Sequence, residues 1–341
     1  MNEMRLWTGP VKGTALFFAA AFFCSQAMAQ IEVKRSFPSE KRITAFDNTT
    51  FCTAFLSNGS LFTLRDIPVA DLRDIDQIVF NPTGSSLALL RGKKEICIYS
   101  FRDRNKKMFE LKEKRKGLKA RKNLSFVLPG ESGAELMKDA SKGDLVSLAM
   151  CYAADARNFI VSNSLGEIII YDTKEYMPQA YIQGKSPATK LAMSQNNYFI
   201  AAGTGKNIDI WNFQTKELRK AIPMTGNVTG MDFSADASLL AVVTDDDRLT
   251  ILDTKNWEKI DIFDKIGNNL SAPSFHPEGK YVSVVKDGNA IVVMNLKNSV
   301  VEQTLDESTG SVTGNRFFMN KQNGDVFMLS NRAKGLVFWD A

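Results

Sequence analysis

The sequence predicts an all-β fold: a seven-bladed β-propeller of four-stranded antiparallel blades, closed by an N-terminal strand that joins the last blade. Three observations support this prediction. A pattern of short strands and turns recurs along the chain, and its copies are spaced at about forty residues. No long segment shows the i, i+3, i+4, i+7 apolar stripe of an amphipathic helix.

The clearest copy of the repeat is FHPEGKYVSVVKDGNAIVVMN, which runs from Phe275 to Asn295. Two β-branched runs flank KDG, a tight-turn sequence, and FHPEG is a turn after another short strand. Similar copies lie at Ile78–Ser100 and Met231–Asp253. Weaker copies occupy four further segments: Phe51–Arg65, Ser147–Asp172, Lys190–Asn212 and Gly324–Asp340.

The spacing of the copies indicates a repeat protein. The third strands end at Arg65, Ser100, Asp172, Asn212, Asp253, Asn295 and Asp340, so successive intervals are 35, 72, 40, 41, 42 and 45 residues. The long interval equals one repeat plus an insertion. Fourth strands are predicted shortly after these ends, at Gln179–Ile182, Glu217–Ile222, Glu258–Phe263 and Val300–Leu305. Four short strands per repeat of about forty residues are typical of propeller blades.

These segments resemble the WD40-type β-propeller family. FHPEGKY, FNPTGSS and FSADASL are similar to the turn between the first and second strands of that family. IDIWN, IIIYD, LTILD and LVFWD are similar to its third strand, which ends in Trp-Asp. The Gly-His pair of the family is absent, so the resemblance implies blades that depend on apolar packing. It implies a fold and leaves the function open.

The last copy lacks a fourth strand, because only Ala341 follows Asp340. An unpaired edge is a liability for a sheet, and Ile31–Phe37 can supply the missing strand. The resemblance implies the same closure. The alternative interpretation is that the sequence is a fragment of a longer protein.

The first 29 residues are predicted to be a signal peptide. Arg5 and Lys12 precede a short apolar run, Ala15–Phe23, and small residues lead to a cleavage site after Ala29. The run is too short for a membrane span, which needs about twenty apolar residues. Lipid attachment at Cys24 is the other alternative. The prediction is an exported, periplasmic or secreted protein, with one propeller over residues 30–341.

No residue pattern predicts a catalytic, metal or cofactor site. His276 is the only histidine, and it occupies a turn position that the other copies fill with unrelated residues. Asp245, Asp246 and Asp247 are adjacent, so they fit a solvated hairpin turn better than a calcium loop. Among the predicted innermost strands only Asp232 is acidic. The cysteines Cys52, Cys97 and Cys151 are predicted to be buried free thiols.

The most distinctive segment is a basic insertion at about residues 112–144. Residues 102–122 contain eleven Lys or Arg and three Asp or Glu, a net charge of +8, whereas the whole chain is +5. The insertion follows a predicted fourth strand, so it lies among connections that cluster on one propeller face. The candidate partner-binding residues are Lys112, Lys114, Arg115, Lys116, Lys119, Arg121 and Lys122.

Three interpretations of this insertion stay open: a solvated loop without a partner, an electrostatic contact with an acidic protein or anionic envelope surface, and nucleic-acid binding. Few aromatic residues lie within it, which disfavours base stacking. The predicted function is a non-catalytic interaction scaffold that is monomeric and binds a protein partner. The alternatives are a propeller hydrolase or lactonase with a loop-built metal site, and glycan or small-ligand binding with Trp257 as an exposed platform.

Overall fold

The structure is a computed structural model that describes residues 32–38, 43–48, 53–57, 60–63, 68–71, 75–91, 93, 95–100, 108–111, 146–306, 311–319, 325–332 and 335–340. Every regular element in these ranges is a β-strand, which confirms the all-β prediction. The strands form four-stranded antiparallel sheets, numbered here in chain order. No helix in the described ranges has the length and hydrophobicity that a membrane crossing requires.

The first three sheets contain β2 to β13. Sheet 1 consists of β2 (Ile43–Asn48), β3 (Thr53–Ser57), β4 (Ser60–Thr63) and β5 (Pro68–Asp71). Sheet 2 consists of β6 (Ile75–Phe80), β7 (Ser86–Arg91), β8 (Glu95–Ser100) and β9 (Met108–Leu111). Sheet 3 consists of β10 (Ser147–Tyr152), β11 (Asn158–Asn163), β12 (Glu167–Asp172) and β13 (Pro178–Gln183).

The remaining sheets contain β14 to β28 and β1. Sheet 4 consists of β14 (Lys190–Met193), β15 (Phe199–Gly203), β16 (Asn207–Asn212) and β17 (Leu218–Pro223). Sheet 5 consists of β18 (Val228–Phe233), β19 (Leu239–Thr244), β20 (Arg248–Asp253) and β21 (Glu258–Phe263). Sheet 6 consists of β22 (Ser271–Phe275), β23 (Tyr281–Lys286), β24 (Ala290–Asn295) and β25 (Val300–Asp306). Sheet 7 consists of β26 (Val312–Met319), β27 (Val326–Arg332), β28 (Gly335–Asp340) and β1 (Glu32–Pro38).

The sheets are arranged radially in a ring, as in a β-propeller. The first strand of each sheet is the innermost one and contacts the first strands of both neighbours, in the order β2, β6, β10, β14, β18, β22, β26 and back to β2. Each sheet then runs outwards through its second, third and fourth strands. The fourth strands predicted from the sequence are all present, as β13, β17, β21 and β25.

Local turn chemistry explains why the strands pair as hairpins. The KDG turn between β23 and β24 has φ values of 52° at Asp287 and 63° at Gly288. Positive φ at both central residues matches the right-handed twist of the flanking strands, and Asp and Gly tolerate it. The register from Tyr281↔Asn295 to Lys286↔Ala290 is unbroken. The hairpin predicted from this stretch is therefore confirmed.

The N-terminal segment completes sheet 7. β1 pairs antiparallel with β28, from Glu32 opposite Asp340 to Pro38 opposite Gly335. This is the pairing that the sequence predicts for Ile31–Phe37. The outermost position of the last sheet is thus filled by the start of the propeller, so the two ends of the ring are joined through backbone hydrogen bonds.

The prediction of a seven-bladed propeller needs a correction, because five blades rather than seven are supported. Buried apolar side chains form clusters at five junctions between neighbouring sheets, from sheet 2 to sheet 7. The side chains of sheet 1 lie outside the described residues. Within the described residues, side-chain packing therefore establishes five blade junctions, whereas the sequence predicts seven blades. The sequence counts repeats, but packing between sheets depends on which side chains meet across each junction.

Candidate functional site: the connection face of the propeller

One face of the ring carries two kinds of loop. In a four-stranded antiparallel sheet, the turn between the second and third strands lies at the same end as the connection leading to the next sheet. We call this end the connection face and the opposite end the turn face. Hydrogen bonds join neighbouring loops of the connection face. The Met224 amide donates to the Lys206 carbonyl at 2.8 Å, and the Gly184 amide donates to the Gly166 carbonyl at 2.8 Å.

Both ends of the predicted basic insertion lie at the connection face. Leu111, the last residue of β9, pairs with Ile96 near the start of β8. The chain re-enters the described structure just before β10, where the Ser147 amide donates to the Lys93 carbonyl at 2.7 Å. Residues 112–145 themselves are outside the described residues. The predicted partner-binding residues fall there: Lys112, Lys114, Arg115, Lys116, Lys119, Arg121 and Lys122.

Exposed lysines surround the positions where this insertion begins and ends and continue onto sheet 4. They are Lys93, Lys185, Lys190 and Lys206. Among the described residues, the salt bridges join Arg248 to Asp246 and Lys280 to Glu278, so none of these lysines is used in one. Exposed charges without ion pairs can attract a partner of opposite charge. These lysines give this sector an excess of positive charge, which is partly offset by Asp76, whose carboxylate accepts a hydrogen bond from the Lys93 amide at 2.6 Å.

The acidic turn Asp245–Asp247 lies on the same face, at sheet 5. The Asp245 carboxylate accepts hydrogen bonds from the Asn227 amide at 2.6 Å and from its side chain at 2.7 Å. The Asp246 carboxylate accepts one from the Thr244 hydroxyl at 2.5 Å. Asp245 therefore binds the connection that leads into sheet 5, and Asp246 stabilises its own turn. Within the described residues, no group of three metal-ligating side chains converges.

His276 lies on the turn face and fills a turn, as predicted. Its Nδ1 accepts a hydrogen bond from the Glu278 amide at 3.2 Å, and burial lowers the pKa of the imidazole. The equivalent residue of sheet 2 plays the same part, since Asn81 Oδ1 accepts from the Thr83 amide at 3.0 Å. A side chain that accepts a turn amide stabilises the turn, and this role explains the histidine without chemistry.

Trp257 is not an exposed platform, and this prediction was wrong. The residue lies in the turn between β20 and β21, as expected, but its side chain is only 7% exposed. Its ring packs edge-on against Phe199 with centroids 4.9 Å apart. The turn folds inwards over the junction between sheets 4 and 5, a long-range contact that the local sequence does not reveal. Trp211, on the third strand of sheet 4, is buried in the core.

The prediction of buried thiols is confirmed for Cys97 and holds in part for Cys151, which is half-buried. Neither of these two cysteines forms a disulfide. Burial raises the pKa of the Cys151 thiol to about 12. A thiol with so high a pKa carries little thiolate at neutral pH and is a poor nucleophile. Cys52 lies outside the described residues.

Near the ring axis, polar side chains of one innermost strand satisfy backbone amides of the next. The Asp232 carboxylate accepts a hydrogen bond from the Phe275 amide at 2.8 Å. In the next sheet, the Ser274 hydroxyl accepts one from the Phe317 amide at 3.0 Å. These contacts link neighbouring sheets where the inner edge would otherwise leave amides unpaired. Asp232, the one acidic residue predicted on these strands, is therefore used structurally.

Asp232 is expected to make the propeller less stable at neutral pH than near pH 4. Burial raises the pKa of this carboxyl from 3.8 to about 6, against opposing effects of Arg316 and the Phe275 amide. The folded state therefore holds a proton more tightly than the unfolded state, so stability is lost as the pH rises towards 6 and stays lower above it, by up to about 3 kcal/mol. The Asp232→Asn variant should be about 1–2 kcal/mol more stable than the unmodified protein at neutral pH, and its stability should change less with pH.

Urea unfolding at several pH values between about 4.5 and 7.5 measures this effect. Asp264→Asn is the matched control, since Asp264 is exposed. Equal pH profiles for the Asp232→Asn variant and the unmodified protein would contradict the assignment of the pH dependence to Asp232.

Sequence reasoning missed the buried position of Asp209. Asp209 lies in the middle of β16 and is only 8% exposed, and the sole signal is an acidic residue inside the apolar string IDIWN.

Comparison with known proteins adds no assignment: no protein-family model matches the chain, and no curated protein matches its sequence. The resemblance to the WD40 family therefore stays a prediction.

Proposed function

We propose that this protein is a non-catalytic interaction scaffold that binds an acidic surface of a protein partner on its connection face. One observation carries the proposal: both ends of the basic insertion emerge on this face beside lysines that form no salt bridge in the described structure. The attachment points of the insertion and these lysines thus lie on one side of the ring. Charge complementarity favours an anionic partner.

Two further features belong to this proposal. The segment up to and including Ala29 directs export, which places the scaffold in the periplasm or outside the cell. The repeats are of WD40 type, a proposal supported by the four-stranded sheets and by the turn and third-strand sequences. The polar groups that could have suggested catalysis, His276 and Asp232, are both engaged in structural hydrogen bonds.

A variant in which the seven basic residues between Lys112 and Lys122 are replaced by glutamine tests the proposal. Binding of a fluorescent polyglutamate peptide should weaken at least about tenfold relative to the unmodified protein, and the affinity of the unmodified protein should fall with added salt. Fluorescence anisotropy measures both effects. Cross-linking in envelope extract is then compared between the two proteins. The glutamine variant should fail to capture an acidic protein that the unmodified protein captures.

The matched control neutralises exposed lysines on the turn face, Lys174, Lys255 and Lys297. This control should bind the peptide as well as the unmodified protein does. Equal binding by the glutamine variant would contradict the role of the basic insertion. Stronger binding to a DNA duplex of equal charge would instead favour nucleic acid as the partner.

A further inference from the structure

The connection face carries charge of opposite sign on two neighbouring groups of sheets. We call the part formed by sheets 2 to 4 the basic half of this face. Among the surface side chains that the structure describes there, the four lysines named above outnumber one aspartate, Asp76, so the net charge is +3. Two further carboxylates near this part of the face, Glu167 and Asp209, are buried.

Sheets 5 and 6 form the acidic half of the connection face. Six aspartates lie there at strand ends, turns and connections, against three basic residues, so the net charge of the described side chains is −3. Within the described structure, Asp246 is the one aspartate of this half that forms a salt bridge, with Arg248 at 3.7 Å. The aspartates are Asp245, Asp246, Asp247, Asp264, Asp287 and Asp306, and the basic residues are Arg248, Lys265 and Lys286.

The order of the sheets makes this charge distribution complementary to itself. Sheets 3, 4, 5 and 6 pack against one another in that order. If two copies meet through their connection faces, a two-fold axis parallel to the faces and directed between sheets 4 and 5 brings sheet 4 of one copy opposite sheet 5 of the other. The same axis brings sheet 3 opposite sheet 6. The basic half of each copy then covers the acidic half of its partner, and the contact occurs twice.

Equivalent loops carry the opposite charges nearest to this axis. Lys206 lies in the turn between β15 and β16, whereas Asp245–Asp247 form the corresponding turn between β19 and β20. Because the two turns occupy the same place in neighbouring sheets, they lie at similar distances from the ring axis and meet across the two-fold axis. Lys206, Asp245 and Asp246 are exposed. Each symmetric contact therefore joins a basic turn to an acidic one.

We propose that two copies of this protein bind each other through their connection faces, with the basic half of each copy against the acidic half of the other. This inference rests on the proposed function and identifies the acidic partner surface as that of a second copy, in place of the monomer expected from the sequence. A contact between exposed charges is weak and is screened by salt. The dimer is therefore expected to dissociate at high ionic strength, and its two-fold symmetry limits the assembly to two copies.

Sedimentation velocity of the mature protein over a range of concentrations measures this association. The dissociation constant of the dimer should rise at least about tenfold between about 50 mM and about 500 mM sodium chloride, because the Debye length shortens over this range. A protein that sediments as a monomer at low salt and high concentration would overturn the proposal. So would a dimer whose dissociation constant is insensitive to salt.

Two charge-reversal variants identify the halves that meet. One variant carries Lys93→Glu, Lys190→Glu and Lys206→Glu, so both halves of its connection face are acidic. The other variant carries Asp264→Lys, Asp287→Lys and Asp306→Lys, which makes both halves basic. Each variant alone should sediment as a monomer at low salt, because like charges then face each other. An equimolar mixture should sediment as a dimer, because each half again meets its opposite.

The mixture also controls for folding, since a misfolded variant would not restore the dimer. A third variant with Lys174→Glu, Lys255→Glu and Lys297→Glu on the turn face should dimerise like the unmodified protein. A mixture that stays monomeric would contradict the pairing of the two halves. Polyglutamate binding separates this result from the proposed function, because the variant with two basic halves should still bind the peptide although it does not dimerise alone.

Discussion

Replacement of Phe159 by alanine is expected to lower the free energy of unfolding by about 3–5 kcal/mol. Phe159 lies on β11 and is fully buried at the junction between sheets 2 and 3. Its ring centroid is 4.8 Å from that of Tyr152 and 6.1 Å from that of Tyr176. The hydroxyls of Tyr152 and Tyr176 lie 3.1 Å apart and form a buried hydrogen bond. Removal of the Phe159 ring would also weaken the packing that holds these two tyrosines in place.

Denaturant unfolding of the mature protein measures this loss. Met177→Ala is the control, because Met177 is 59% exposed on the turn face, and its effect should stay within about 0.5 kcal/mol. Phe159→Leu retains most of the buried volume and should lie between the two. A cost below about 1 kcal/mol for Phe159→Ala would mean that the junction collapses around the cavity and that packing between sheets 2 and 3 is not rigid.

The strands could be predicted because each repeat encodes its own turns. The KDG turn at Asp287 and Gly288 and the turn at His276 depend on residues within a few positions of each other. Similar turn sequences recur from copy to copy, so the interval between copies locates strands even where one copy is degenerate. The pairing of β1 with β28 could be predicted because the last repeat lacks a fourth strand, and not from any property of residues 32–38 alone.

The features that escaped prediction all depend on contacts between sheets. Trp257 is buried because its turn meets Phe199 of the neighbouring sheet, which lies 58 residues earlier in the sequence. Asp209 was overlooked because an acidic residue in a strand reads as solvent-exposed, although its equivalents in other sheets are core residues. The count of packed junctions likewise depends on which side chains meet across neighbouring sheets, and spacing along the chain carries no such information.

Removal of residues 30–38 is expected to have the largest effect on the whole ring. β28 would lose its antiparallel partner from Asp340 to Gly335 and become an exposed edge. Sheet 7 packs on sheet 6 through Val337, Met328 and other buried residues, so fraying of β28 would reach that junction. We expect the melting temperature to fall by at least about 10 °C, because a loss of several kcal/mol is a large part of the stability of a domain.

A synthetic peptide of residues 30–38 provides the decisive control for this deletion, since backbone pairing with β28 does not require a covalent link. Added in excess, the peptide should bind the shortened protein and restore much of its melting temperature by mass action. A peptide with proline at Val33 and Ser36 cannot donate from these positions and should fail to do so. If the shortened protein melts like the unmodified one, pairing of β1 does not hold the ring closed. If the proline peptide stabilises the shortened protein as much as the unmodified peptide does, the stabilisation does not come from strand pairing.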